Sequence, residues 1–341
     1  MLYFPQEFFL EETREGFTID STMKSFWAAE LEVLREVSEV CERHNLQWYA
    51  AYGTLLGAIR HNGYVPWDDD MDIWMKREDY NKFLEVAPKE LPGDFVVESP
   101  QTEKGYTQFH SCVFNAISIS LEEERLREFH GCPFATGIDI FPLDFLPRDE
   151  EEKESQFSLY YLIALMIELI QKTERDDEDE ESLREAFDTV EEVCGVKFER
   201  ELADTEKRDD LISEIYRLAN QLCTCYGEDD GDYLVMYMDY ARWAHKIYKK
   251  EWFEEAVLHP FEGLMIPVPI GYDDILKTIY GDYNVRIRSG TCHEYPLYNK
   301  QLRHLREVTE DLEGKVARIN EILEEERNKR KSQQITGAEE N

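Results

Sequence analysis

Residues 46–76 read LQWYAAYGTLLGAIRHNGYVPWDDDMDIWMK, and the fold turns on how this stretch is punctuated. Asp70-Met71-Asp72-Ile73-Trp74-Met75 alternates as a buried strand does. That predicts both carboxylates on one face, with Met71, Ile73 and Met75 on the other. Two like charges this close favour a cation between them. Hard oxygen ligands suit Mg²⁺ or Mn²⁺, and Mg²⁺ usually takes one or two carboxylates beside substrate phosphates. Upstream, Leu46 to Tyr52 reads as the preceding strand, Gly53-Thr54 as a turn and Leu55 to Arg60 as a short helix. A small residue at the turn lets backbone approach a ligand, and amides at a helix start favour an anion. Asn62-Gly63 marks a further turn, and Pro66 ends the loop before the acidic strand. By itself Asp68-Asp69-Asp70 reads as a solvated turn. Running into an apolar alternating strand, it reads better as a metal site. No Gly-Lys-Ser/Thr follows the glycines, so this is not a P-loop.

The run GTLLGAIRHNGYVPWDDDMDI, residues 53–73, resembles the signature of the LicD family of phosphotransferases, relatives of fukutin. That family resembles the nucleotidyltransferase fold, in which a Gly-Ser/Thr turn precedes an Asp-x-Asp strand. Weaker similarity extends from about Met23 to Lys300. The resemblance implies an α+β fold: a nucleotidyltransferase-like mixed sheet core with helices and an inserted helical lobe.

The 341 residues suffice for one large domain or a domain with an inserted lobe. With 38 basic against 74 acidic residues the net charge is −36, which argues against binding to the phosphate backbone of nucleic acid and against broad attraction to an anionic membrane, while leaving room for a local basic pocket. The start, MLYFPQEFFLEETREG, lacks the basic region and apolar core of a secretory signal. Phe157 to Ile170 is the most apolar stretch, but a bilayer span takes about 20 residues, so a buried helix is expected and no transmembrane segment. Seven scattered cysteines without metal-site spacing read as reduced thiols. A cytoplasmic protein is expected, or one peripheral to the inner face of the membrane.

Along the chain, Ser21 and Thr22 are expected to cap a helix over about 23–44, with Phe26, Leu31, Leu34, Val37 and Cys41 at helical spacing. A helix over 77–86, closed by Pro88, should follow the acidic strand, then strands at 95–97, 109–114 and 116–120. His110 in such a strand reads as structural or as a residue reaching the site. In Gly137 to Asp144, Ile138 and Ile140 flank Asp139 in strand alternation. Helices are expected at 151–173, 182–193 and 209–226, with the charge run 175–181 as a solvated loop. From Gln301, Leu302, Leu305, Thr309, Leu312, Val316, Ile319 and Leu323 make a heptad seam that packs on the body or pairs with another copy as a homodimer. The divisions implied are a catalytic core at 1–148, a helical lobe at 149–250, the rest of the catalytic region at 251–300, and an amphipathic helix and tail at 301–341.

The family resemblance implies Mg²⁺-dependent transfer of a phosphorylated alcohol from a cytidine-diphosphate donor to a hydroxyl of a cell-surface glycan or glycolipid, releasing CMP. Phosphocholine from CDP-choline is favoured over ribitol phosphate, with lipopolysaccharide or teichoic acid among the acceptors. Asp70 and Asp72 would hold the metal, and Asp139 would supply the third carboxylate as ligand or general base, with Asp144 as fallback. Gly53 and Thr54 would cradle the diphosphate, Arg60 would pair with its charge, and Trp67 and Tyr295 would offer aromatic faces to a quaternary ammonium. Residues 259–283 resemble the family's C-terminal region, and Thr291 to Pro296 a His-x-Tyr-Pro element that brings in His293. Arg286, Arg288, His293 and Lys300 read either as a cationic group near the site or as surface charge balance. Two other functions stay open: nucleotidyl transfer releasing pyrophosphate, and a metal-free binding protein on the same fold.

Overall fold

A computed structural model describes residues 1–100, 106, 108–242, 246–288 and 295–308, with 314, 317, 318, 321 and 324 beyond them. A small hairpin, β1 (Glu12–Arg14) and β2 (Phe17–Ile19), leads into α1 (Ser21–His44). The cap of α1 is Asp20, whose side chain accepts a hydrogen bond from the Met23 amide at 2.8 Å. The expected caps Ser21 and Thr22 lie inside the helix; a carboxylate one residue earlier satisfies the amide and adds charge to the positive helix end. Asn45 in the left-handed conformation ends it.

Next come β3 (Trp48–Ala50), α2 (Tyr52–His61), β4 (Asp72–Lys76), α3 (Arg77–Glu90), β5 (Val96–Glu98), β6 (Ser111–Phe114), α4 (Glu123–Glu128) and β7 (Gly137–Leu146). The main sheet has the order β3-β4-β7-β6-β5 and is mixed: β4 and β7 are parallel, the other pairs antiparallel. The fold is α+β, as expected. Ile73, Met75, Ile138 and Ile140 are buried on the side covered by α1 and α3. Asp72, Trp74, Asp139 and Phe141, of opposite parity, face the other way, toward α2. Pro142 sits where β7 leaves β6 and takes a new neighbour, so its missing N–H interrupts no continuous ladder.

Three local expectations need correction. The helix α3 runs through Pro88, which lies in its last turn, and the chain turns only at Leu91. Residues 116–120 form no strand; Asn115 instead bonds Thr136 and Arg125 and fixes a loop. The acidic run is not a loop throughout: Asp176 caps α6 (Asp177–Cys194), and the following acids fill the first turn, where the helix dipole favours them.

Helices α5 (Glu150–Gln171), α6 and α7 (Arg208–Cys223) build a second apolar core with β8 (Tyr233–Val235) and α8 (Tyr237–Arg242). Phe109, just before β6, joins it by packing on Tyr216 and Tyr237. Strand β8 pairs with β7 and with β9 (Tyr248–Lys249). The hairpin β10 (Ala256–Phe261)–β11 (Leu264–Pro269) and α9 (Tyr272–Tyr280) return to the main core, and α10 (Asn299–Val308) closes on it. In α10, Leu305 is buried, Leu302 is partly so, and the Gln301 amide bonds both backbone groups of Ala135 at 2.9 Å. The described start of the heptad seam is thus used within the chain; Thr309, Leu312, Val316, Ile319 and Leu323 lie outside the described residues.

Candidate active site

The site grows from the junction of β3 and α2. Tyr52, the first residue of α2, has φ +37°, a region non-glycine residues rarely enter. Its ring is held against Trp74 and Phe141 at 4.9 and 5.2 Å, and its hydroxyl donates to Asp239 Oδ2 at 2.9 Å. Gly53 follows. A Cβ there would come within 2.1 Å of Asp68 Oδ2, so the close approach this glycine permits is to a carboxylate of the acidic loop. Thr54 is buried, and its hydroxyl oxygen accepts the Asp72 amide at 2.9 Å, tying α2 to the first residue of β4.

Asp72 and Asp139 are direct register partners on the parallel strands β4 and β7, and they share a face. Asp70 lies in the loop before β4 rather than in the strand, because pairing with β3 and β7 reaches back only to Asp72. Its carboxylate groups with those of Asp68 and Asp69, ligand atoms all within 4.8 Å. Burial, then the neighbouring charge of Asp70 and a side-chain hydrogen bond with it, push Asp68 well above the ordinary carboxylate range. Asp69 is fully buried and accepts the Leu297 amide at 2.5 Å, anchoring the segment that leads into α10. Tyr280 joins the two acidic groups: burial and then the charges of Asp68, Asp72 and Asp70 raise its hydroxyl.

On the far side of Asp139, β6 contributes a second set. Cys112 is its register partner, with the thiol donating to Asp139 Oδ1 at 2.8 Å, and His110 Nε2 lies 3.3 Å from Oδ2. The His110 ring rests on Phe141 at 4.4 Å. Asp144, by contrast, is a buried partner of Arg77, with bonds of 2.6 and 2.8 Å, while Asn220 takes another nitrogen of the same guanidinium. It is not available to complete the site.

Residues 45–130 match the family model described as LicD/FKTN/FKRP, nucleotidyltransferase domain. This stretch is similar to a LicD-family domain. Over 255 residues, 74% of this chain and 88% of the relative, it is 26% identical to the lipopolysaccharide cholinephosphotransferase LicD of Haemophilus influenzae. An uncharacterized protein of Rickettsia typhi is 36% identical over 58 residues, which cover 17% of this chain and 19% of that protein.

The residues expected at the site divide. Gly53, Thr54, Asp70 and Asp72 come together, and Asp139 joins them from β7. Arg60, at the far end of α2, donates to the Tyr283 carbonyl at 2.9 Å. Trp67 is partly buried against the main core, and the Tyr295 ring meets the edge of Phe17 at 5.7 Å, beside the acidic loop. Trp74 is fully buried beneath Tyr52. His293 lies outside the described residues. The other expected cations disperse: Arg286 pairs with Glu15 at 2.6 Å, Arg288 stacks on Phe17, and Lys300 lines a separate groove beside α10. Sequence reasoning missed Cys112, Tyr280 and Asp239, and read Asp68 only as part of the acidic triplet. Of the three, only Cys112 left a signal, sharing the parity of His110 in an alternating run.

Proposed function

We propose that the chain transfers phosphocholine from CDP-choline to a hydroxyl of a cell-surface glycan or its lipid-linked precursor, releasing CMP. The observation that carries this reading is the pairing of Asp72 with Asp139 on adjacent parallel strands, beside an acidic loop whose three carboxylates lie within 4.8 Å of one another. Carboxylates crowded in this way favour a cation between them, and an all-oxygen donor set suits Mg²⁺ or Mn²⁺. The likeness to a cholinephosphotransferase along most of both chains supports the choice of group.

Asp72 and Asp139 would hold the ion, with Asp70 completing the set; when bound it neutralises the diphosphate and polarises the phosphorus under attack. Thr54 fixes the backbone under Asp72, so the carboxylate stands ready without reorganisation. The first amides of α2, with Gly53 among them, lie beside the same loop and favour negative charge there. The acceptor oxygen attacks the phosphorus that bears choline, and the bond from that phosphorus to the CMP oxygen breaks. The hydroxyl proton passes to a base beside the ion, with His110, 3.3 Å from Asp139, the candidate. Trp67 and Tyr295 are candidates to face the quaternary ammonium. No helix among the described residues is long and apolar enough to cross a membrane, which fits work in the cytoplasm or at the inner face of the membrane.

The test is to incubate the protein with Mg²⁺, a lipopolysaccharide acceptor and a panel of CDP-alcohols, following CMP. Faster release from CDP-choline than from CDP-ribitol, with phosphocholine on the acceptor, is expected. Equal rates with both donors would overturn the choline assignment alone. Pyrophosphate release from CTP and phosphocholine, without CMP, would replace transfer by the nucleotidyl reaction that the domain's description also suggests.

A further inference from the structure

We infer that His110, Cys112 and Asp139 form a binding site for a borderline-soft divalent ion, zinc above all, distinct in its donors from the carboxylate site beside it. One atom from each residue, a ring nitrogen, a sulfur and a carboxylate oxygen, lies within 4.8 Å of the others. The fold sets this spacing: His110 and Cys112 are two apart on one face, and Cys112 is the register partner of Asp139. Zinc bonds sulfur at about 2.3 Å and nitrogen or oxygen at about 2.0–2.2 Å, so ligands this close can converge on one ion with small rotations. Imidazole and thiolate select zinc over magnesium, which requires oxygen. Three protein ligands leave a fourth position for water or a phosphate oxygen, the arrangement of an accessible rather than a sealed site. Access exists, since the Asp139 side chain is 36% exposed and that of His110 15%. The Tyr106 hydroxyl lies 3.3 Å from the Cys112 sulfur. On ligation the thiol would release its proton to solvent.

The consequence for transfer rests on the function proposed above: zinc at this site takes Asp139 away from the carboxylate set and stops the reaction. Binding itself does not depend on that reading. The metal-free full chain is titrated with Co²⁺ as a spectroscopic stand-in for zinc. A thiolate-to-cobalt charge-transfer band is expected at one equivalent, together with visible bands of low-symmetry cobalt, all bleached by one equivalent of Zn²⁺. Cys112→Ser should abolish the charge-transfer band, His110→Ala should weaken binding at least tenfold, and Cys225→Ser, on the exposed surface, should leave the spectrum unchanged. No thiolate band in the wild type, or the same band in Cys112→Ser, would overturn the site. In the transfer assay, micromolar zinc should inhibit the wild type and leave Cys112→Ser running; equal inhibition of both would overturn the link to Asp139 even with the cobalt spectrum intact. A protein that transfers nothing but still gives the cobalt result would fail the proposed function and keep this site.

Discussion

Two aspartates on one strand, Asp139 and Asp144, meet opposite fates. They are an odd number of residues apart on β7, so they face different sides of the sheet. Asp144 is 1% exposed and gripped by Arg77; Asp139 is 36% exposed and stands beside Asp72 and His110. Burial works against the Arg77 charge, yet the adjacent Asp144 carboxylate keeps its pKa above the ordinary value. A carboxylate satisfied by a buried guanidinium holds the sheet to the helical lobe, where Asn220 completes the cluster. Asp139 instead accepts the Cys112 thiol and stands beside His110 and Asp72, partners that suit a site rather than a brace. Type and strand position alone do not separate the two; partners do.

The comparison breaks most visibly at the site. Asp72→Asn or Asp139→Asn should lower CMP release about 10²–10³-fold or more, the scale of losing one preorganised electrostatic group. Thermal stability of the metal-free protein should stay level or rise, since each change relieves like-charge crowding. Asp144→Asn should do the reverse. It strands a buried guanidinium and should cost about 3–5 kcal/mol in chemical denaturation, with transfer per folded molecule largely kept. A version of this variant with near-native stability would remove the contrast.

Gly53→Val sharpens it on a smaller scale. The added side chain must displace the Asp68 carboxylate, and through it Asp70. Transfer should fall about 10–100-fold while the loss of stability stays near 1–3 kcal/mol. Unaltered donor KM and kcat would mean that the acidic loop plays no part.

Glu191 in the lobe is the smallest case, a carboxylate of the Asp144 kind. Hydrogen bonds from Arg200 foremost, then Lys197 and the Phe198 amide, hold its pKa at about 2, against burial. Because the folded pKa lies below the unfolded one, this stabilisation is complete above about pH 4.5 and is lost as pH falls toward 2. Glu191→Gln should lower stability at pH 7 by on the order of 1–2 kcal/mol, discounted because both cations reach solvent, and the difference from wild type should shrink in acid.

Much of this was legible beforehand, for local reasons. Gly53, Asn62-Gly63 and Pro66 punctuate the strand–helix–strand unit, and the apolar alternation of Ile73 and Met75 or Ile138 and Ile140 marks strands whatever they pair with. Helices α5 to α7 carry long periodic faces. What stayed hidden was non-local. The alternation from Asp70 to Met75 cannot say where pairing starts, and the ladder reaches only to Asp72. Residues 116–120 alternate too, but no strand lies beside them. That Cys112 faces Asp139, or that Asp68 fills the space over Gly53, depends on register and on chain returning from elsewhere. Arg60 was placed by its charge in an acidic chain, and its carbonyl partner at Tyr283 comes from a segment more than two hundred positions later.

The most direct test is a Mn²⁺ titration of the full chain, followed by loss of the free-ion EPR signal, with and without CMP. Wild type and Asp144→Asn, the latter below its lowered unfolding midpoint, should bind the ion equally, more tightly with CMP, while Asp72→Asn and Asp139→Asn should each lose at least tenfold. Wild-type affinity in both site variants would contradict the assignment of Asp72 and Asp139 as the metal pair.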